Sequence, residues 1–172
     1  MRIILSSFFL LFCSISCFRQ TVPVSKKAID TTPLPEPLGW VSDFENVFTD
    51  TEIITLDSII NQYEKRTTNE IAVVTYLFDS TIVKSEDDLS IFSLKLFNKW
   101  GVGKKKYDNG IGILFSTNRR MIRIETGKGL TEKMTNQEAK FIIDSIIIPQ
   151  FSKSEYFIGI KKGLEAIFRE LE

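Results

Sequence analysis

Two apolar stretches, Glu70–Phe78 (EIAVVTYLF) and Gly110–Ser116 (GIGILFS), decide the fold of this chain. Both are nearly continuous in apolar residues and rich in β-branched or aromatic side chains, which is typical of strands covered on both faces. The alternating segment Met121–Glu125 follows the second stretch, so Ile122 and Ile124 should share one face. The four residues between these segments predict a hairpin.

Four helices are predicted around these strands. Capping-box sequences at Thr49–Glu52 and Thr135–Glu138 start the first and third helices, and Ser85 caps the second. We expect Pro149 to end the third, and the fourth to run near Glu155–Leu171. In each predicted helix, apolar residues recur at helical spacing. In chain order, they are Ile53, Leu56, Ile60 and Tyr63 in the first helix; Leu89, Phe92, Leu96 and Trp100 in the second; Ala139, Ile142, Ile143, Ile146 and Ile147 in the third; and Ile158, Leu164, Ile167, Phe168 and Leu171 in the fourth. The alternation predicts an α/β fold with helices on both faces of one mixed central sheet.

Composition excludes several classes of function. The chain has 172 residues, enough for one domain, and it contains no histidine. A Ser-His-Asp triad, a Cys-His pair and a His-ligated zinc centre are therefore excluded. Both cysteines, Cys13 and Cys17, lie near the N-terminus, so the rest of the chain has no thiol. The formal net charge of zero gives no reason to expect a nucleic-acid partner.

The first 39 residues resemble a targeting signal followed by a linker. Residues 1–16 have one cation and an apolar run of signal-peptide length. The small residues before Cys17 resemble the lipobox of bacterial lipoproteins, which predicts a lipid on Cys17; plain secretion is the alternative. Residues 17–39 then include four of the five prolines and predict a semi-rigid linker. The folded domain is expected at 40–172, held outside the cytoplasm at a membrane or in the cell envelope.

Motifs for organic cofactors are missing from the sequence. Three Gly-x-Gly triplets begin at Gly101, Gly110 and Gly127, but none continues to the dinucleotide fingerprint. The sequence also contains neither a P-loop nor a GxSxG nucleophile elbow. We therefore expect no organic cofactor, and these glycines are interpreted as turn and close-packing positions.

A combination of short blocks resembles the TPM domain family. The resemblance covers about 130 residues and rests on these segments: Val41–Phe44, Asn69–Thr75, Phe97–Gly103, Tyr107–Leu114, Arg120–Gly127, and the pair Gly159 and Gly163.

The resemblance implies a three-layer α/β/α sandwich in a mostly extracytoplasmic, membrane-associated protein. Plant thylakoid members support photosystem II repair and are described as acid phosphatases. Some bacterial members are described as binding calcium or other divalent cations, and others serve as accessory subunits of membrane proteins.

Asp43, Asp108 and Asn109 are the candidate metal ligands. Asp43 precedes the first helix, while Asp108 and Asn109 lie in the loop that enters the GIGILFS strand. We expect these loops to converge on one edge of the sheet, where carboxylate and amide oxygens suit Ca²⁺ or Mg²⁺. The alternative for each residue is a turn or capping role. Two positions that are usually acidic in the family are Thr131 and Asn136 here, which thins the set of ligands.

The sequence favours a lipid-tethered, non-enzymatic accessory or interaction module that binds a divalent cation and docks onto an envelope protein complex. The alternative is a metal-dependent acid phosphatase, as ascribed to the plant relatives. Its catalytic residues stay unassigned, because with neither histidine nor a cysteine in the body it would need a metal-activated water. Seven basic residues could hold an anion such as phosphate or a lipid headgroup if their loops converge, or else form a solvated surface: Lys104, Lys105, Lys106, Arg119, Arg120, Arg123 and Lys128.

Overall fold

A four-stranded mixed sheet forms the middle of the fold. The computed structural model describes residues 32–172, so the predicted signal peptide and Cys17 lie outside the described residues. The strands stand in chain order: β1 (Val41–Asp43), β2 (Glu70–Thr75), β3 (Gly110–Ser116) and β4 (Met121–Thr126). The first three are parallel, and β4 is antiparallel to β3. The predicted hairpin between the last two strands is confirmed.

Within residues 32–172, five α-helices surround the sheet: α1 (Asp50–Thr67), α2 (Glu86–Trp100), α3 (Asn136–Ile142), α4 (Ile148–Phe151) and α5 (Tyr156–Leu171). Both capping boxes are present, since Thr49 and Glu52 satisfy each other's backbone amides, as do Thr135 and Glu138. The Ser85 hydroxyl accepts the Asp88 amide at the start of α2. The predicted helix starts are therefore correct.

Each face of the sheet covers its own apolar core. Ile71 and Val73 of β2 face a core that α1, α3 and α5 complete, whereas Ala72 and Val74 face a second core built with α2. The alternation along one buried strand is the period-two geometry of a β-strand. The predicted α/β sandwich with helices on both faces is confirmed.

Three local predictions were wrong. Strand β2, predicted over Glu70–Phe78, ends at Thr75. The Tyr76 amide donates the last hydrogen bond to β3, at the carbonyl of Phe115, and β3 itself ends at Ser116. Pro149 does not end the third helix, because a π-helical turn (Ile143–Ile147) precedes it and places the proline in the first turn of α4, where its missing N–H costs little. Ile158 is exposed, and Ile160 occupies the buried position instead.

The end of the Pro-rich segment packs on the domain. We call Leu34–Gly39 the docked segment. The Trp100 indole N–H donates to the carbonyl of Pro35 at 2.8 Å, and the Lys99 ammonium lies 3.0 Å from the carbonyl of Leu34. Lys99 also pairs with Glu36 at 2.6 Å. The packed domain therefore includes Leu34–Gly39, which precede the predicted boundary at residue 40.

Candidate functional site

Asp43 lies at the carboxyl edge of the sheet, and protein donors occupy its carboxylate. One oxygen accepts the Phe48 amide at 2.8 Å, and the other accepts the Glu45 amide at 3.3 Å. The hydroxyl of Thr75, at the end of the neighbouring strand, also donates to Asp43. These bonds shape the turn between β1 and α1, which is the capping role that the sequence left open.

Glu45 extends this polar cluster toward the β3–β4 hairpin. Its carboxylate accepts the Thr117 amide at 2.9 Å and lies 3.4 Å from the Ser116 hydroxyl. Burial raises the pKa of the Glu45 carboxyl above its ordinary value, although the bonds from the hairpin oppose the rise. The sequence prediction missed Glu45, because it joins an element that follows it by about 70 residues.

Asp108 and Asn109 lie at the opposite, amino edge of the sheet. The Asn109 side chain is buried, and both its oxygen and its nitrogen form hydrogen bonds. Its oxygen accepts the Lys104 amide at 2.9 Å, and its NH₂ group donates to the carbonyl of Thr68 at 2.9 Å and to the Asn69 side chain at 3.1 Å. Asn109 therefore joins its own loop, between α2 and β3, to the loop between α1 and β2. Asp108 is exposed, with a backbone φ of 48°.

The expected convergence of these loops on one edge was wrong. Asp43 is in register with Thr75 and, through β2, with Phe115, whereas Asp108 precedes the first residue of β3. At about 3.3 Å per residue the two aspartates are roughly 20 Å apart along the strands. The physical reason is strand direction, because a loop that enters a parallel strand lies at the amino edge. The structure therefore does not assemble Asp43, Asp108 and Asn109 into one site.

Glu125 and the two positions that are usually acidic in the family, Thr131 and Asn136, do not add to such a site. The Glu125 carboxylate accepts the Ser93 hydroxyl at 2.6 Å and pairs with the Arg123 guanidinium at 2.9 Å. Thr131 bonds the carbonyl of Lys128, and Asn136 is the first residue of α3. Across residues 32–172, no three carboxylate, thiol or imidazole side chains are grouped as a metal ion would require.

The basic residues divide between the two edges. Lys104 pairs with Glu64 at 3.0 Å and with Glu70, at the amino edge. These hydrogen bonds raise the pKa of the Lys104 ammonium. Arg119 and Arg120 lie in the β3–β4 turn, at the other edge. The predicted basic set is therefore not one surface.

A cleft of about 440 Å³ opens beside the β3–β4 hairpin. We call it the hairpin cleft; Phe115, Ile122, Ile148, Phe151 and Tyr156 supply most of its apolar wall. Arg120 is the one charged side chain among its lining residues, and Thr117, Ser152 and Ser154 add hydroxyl groups. Sequence reasoning missed the cleft, since its walls come from the hairpin, α4 and the start of α5, which are distant in the chain.

Within the part of the chain that the structure describes, no helix has the length and apolarity needed to cross a bilayer.

Comparison with known proteins gives one family and several similar folds. Residues 41–170 match the family model described as TPM domain. No curated protein matches the chain. A solution NMR structure of the N-terminal domain of a P. gingivalis protein is 25% identical with a TM-score of 0.68, covering 81% of this chain and 93% of that one.

Two further NMR structures share the fold. BA42, from the psychrophilic bacterium Bizionia argentinensis, is 22% identical with a TM-score of 0.62, covering 74% of this chain and 83% of that one. The N-terminal domain of the cg2496 protein from Corynebacterium glutamicum is 13% identical with a TM-score of 0.59, covering 83% and 85%. The family match spans both apolar cores and all four strands. The chain belongs to the TPM domain family.

Proposed function

We propose that the chain is a membrane-tethered, extracytoplasmic TPM domain that acts as a non-enzymatic interaction module for an envelope protein complex. A lipid on Cys17 would hold it at the membrane, with plain secretion as the alternative. The observation that carries the proposal is the docked segment, which joins the Pro-rich linker firmly to α2 through Trp100 and Lys99. A tether fixed in this way presents the domain from one defined side.

The tether also limits how far the domain can act from the membrane. Roughly 17 residues separate Cys17 from Leu34, and covalent geometry lets them reach at most about 60 Å. Such a reach suits a partner in the same envelope layer. It also raises the effective concentration of the domain near membrane proteins, so modest contacts suffice for association.

Replacing Cys17 by alanine tests the tether. We expect the wild-type chain in the membrane fraction, with a lipid mass on the mature N-terminal residue, and the Cys17→Ala chain in the soluble fraction. Cys13→Ala is the matched control, because Cys13 belongs to the predicted leader and should leave fractionation unchanged. Membrane association of Cys17→Ala, or a wild-type N-terminus that carries no lipid, would contradict the proposal.

Divalent-cation binding is a separate part of the proposal, and the three candidate ligands do not fit one site. Asp43 and Asn109 are engaged by the fold, which leaves the exposed Asp108 as the ligand with free oxygens. A Ca²⁺ or Mg²⁺ ion at the amino edge would use Asp108 together with backbone oxygens of its loop.

Calorimetric titration of the full chain with Ca²⁺ tests this assignment. We expect weak binding that Asp108→Asn removes and that Asp43→Asn, at the opposite edge, retains where the variant remains folded. Loss of binding with a folded Asp43→Asn chain would place the cation at the carboxyl edge instead. No heat of binding up to millimolar Ca²⁺ would reject cation binding.

The alternative, a metal-dependent acid phosphatase, has less support from the geometry. A hydrolytic site needs a ligand or base close to the group that neutralises the phosphoryl oxygens. Asp43 and Asp108 lie at opposite edges, and Arg123 is paired with Glu125. Phosphate release from p-nitrophenyl phosphate that disappears in Asp108→Asn would favour the phosphatase over the interaction module.

A further inference from the structure

The outer edge of β4 leaves backbone groups without a partner strand. The Gly127 amide bonds the carbonyl of Gly110 at 2.8 Å, which makes these residues a hydrogen-bonded pair of the antiparallel ladder. Such pairs alternate along the ladder, so Ile122, Ile124 and Thr126 direct their N–H and C=O groups away from β3. The strand order ends at β4, so no described strand meets these groups. An open edge of this kind accepts an added strand.

The hairpin cleft lies beside this edge. Ile122 belongs to both, because it lines the cleft and directs its backbone outward. In an added strand, the residue opposite Ile122 would point to the same face of the sheet as Ile122 itself. Its side chain would enter the cleft, which Ile148 and Tyr156 also line. The edge thus offers main-chain hydrogen bonds, and the cleft offers a pocket for one apolar side chain.

Arg120 sets the charge and direction of the occupant. Its guanidinium is exposed at the cleft and pairs with no carboxylate among residues 32–172. A strand antiparallel to β4 would run from Thr126 toward Met121, which brings its carboxyl-terminal end next to Arg120. A carboxylate placed one or two residues after the apolar side chain would therefore meet an unpaired cation.

We propose that the open edge of β4 and the hairpin cleft together form a peptide-binding site. It takes an extended segment of a partner protein, aligned antiparallel to β4, with a bulky apolar residue in the cleft and an acidic residue or terminal carboxylate at Arg120. This assignment rests on the proposed function as an interaction module and names the surface and the chemistry of its partner. It does not depend on the lipid at Cys17.

Selection from a displayed library of random octapeptides with free carboxyl ends tests the site. The bait is the full-length chain in detergent solution, so that the selection does not depend on a lipid at Cys17. We expect the selected peptides to share a bulky apolar residue followed within two positions by Asp, Glu or the terminal carboxylate. Failure to enrich any peptide would overturn the proposal, and the Cys17→Ala fractionation result would be unaffected.

Substitutions distinguish this site from a general acidic-peptide surface. For the best synthetic peptide, Arg120→Glu is expected to weaken binding about tenfold or more, measured by fluorescence anisotropy. Arg169→Glu is the matched control, because Arg169 is an exposed arginine on α5 outside the cleft. Equal weakening by both variants would reject the role of Arg120.

Backbone methylation tests the strand pairing. N-methylation of every second peptide amide is expected to weaken binding about tenfold, whereas methylation of the amides between them has little effect. Insensitivity at every position would reject strand addition. A cross-linked dimer of the chain that a folded Thr126→Pro variant no longer forms, with no peptide enriched, would assign the edge to a second copy and overturn the proposal.

Discussion

Replacing Gly110 by alanine is expected to lower the free energy of unfolding by about 3 kcal/mol. An added Cβ there would lie 2.1 Å from the carbonyl oxygen of Val102 and 2.9 Å from the amide nitrogen of Gly103. Both neighbours are backbone atoms, so they cannot rotate away as a side chain would. The start of β3 would have to move, and with it the loop that carries Asp108 and Asn109.

Gly101→Ala is the matched control for this prediction. A Cβ at Gly101 meets nothing within 4 Å, although its φ of 67° disfavours a side chain. We expect a loss of about 1 kcal/mol from that strain alone. Urea unfolding followed by circular dichroism measures both values. Equal losses in the two variants would contradict the steric argument.

Asn109→Ala should also lower the free energy of unfolding by about 3 kcal/mol, since it removes three partly buried hydrogen bonds of one buried side chain at once. The substitution removes the acceptor for the Lys104 amide and the donor to the carbonyl of Thr68. It also removes the bond to the Asn69 side chain. These partners belong to different loops, so the substitution should destabilise both loops at the amino edge of the sheet together.

Asp108→Asn is the control for Asn109, because the two residues are adjacent and the change is nearly isosteric. Asp108 is exposed, and asparagine tolerates its φ of 48° as well as aspartate does. We expect a change within about 0.5 kcal/mol. Thermal unfolding of the two variants under the same conditions measures both changes in stability. A larger loss for Asp108→Asn than for Asn109→Ala would mean that their roles are reversed.

The helices and strands were predictable because local patterns specify them. The capping boxes at Thr49 and Thr135, and the apolar runs of β2 and β3, need no distant partner to be recognised. The end of β2 was not predictable in this way, because it depends on where the neighbouring β3 ends. The helical continuation through Pro149 likewise depends on a π turn that spacing alone does not reveal.

The predicted site failed for a reason of topology. Asp43 leaves a strand and Asn109 enters one, so two loops that both carry polar residues lie at opposite edges of a parallel sheet. Sequence spacing does not report strand direction relative to a neighbour. The bonds that occupy Asp43 and Asn109 come from residues such as Thr75 and Thr68, about 30 and 40 positions away. Those partners become visible only in the folded chain.

The docked segment shows where composition misleads. Four prolines within residues 17–39 predict a semi-rigid linker, and the sequence alone gives no reason to end that linker at Leu34. The sequence places Trp100 among the apolar residues of the second predicted helix, yet its indole N–H donates to the carbonyl of Pro35. An amphipathic residue at the end of a helix can serve both roles.

Site-specific photo-crosslinking of the full-length chain in its native membranes tests the interaction module most directly. A photoreactive residue at Ile148, in the hairpin cleft, should give one discrete cross-linked product with a second protein, and Arg120→Glu should abolish it. The same residue at Ile54, an exposed position on α1, should give none. No product from position 148, or equal products from both positions, would contradict the account.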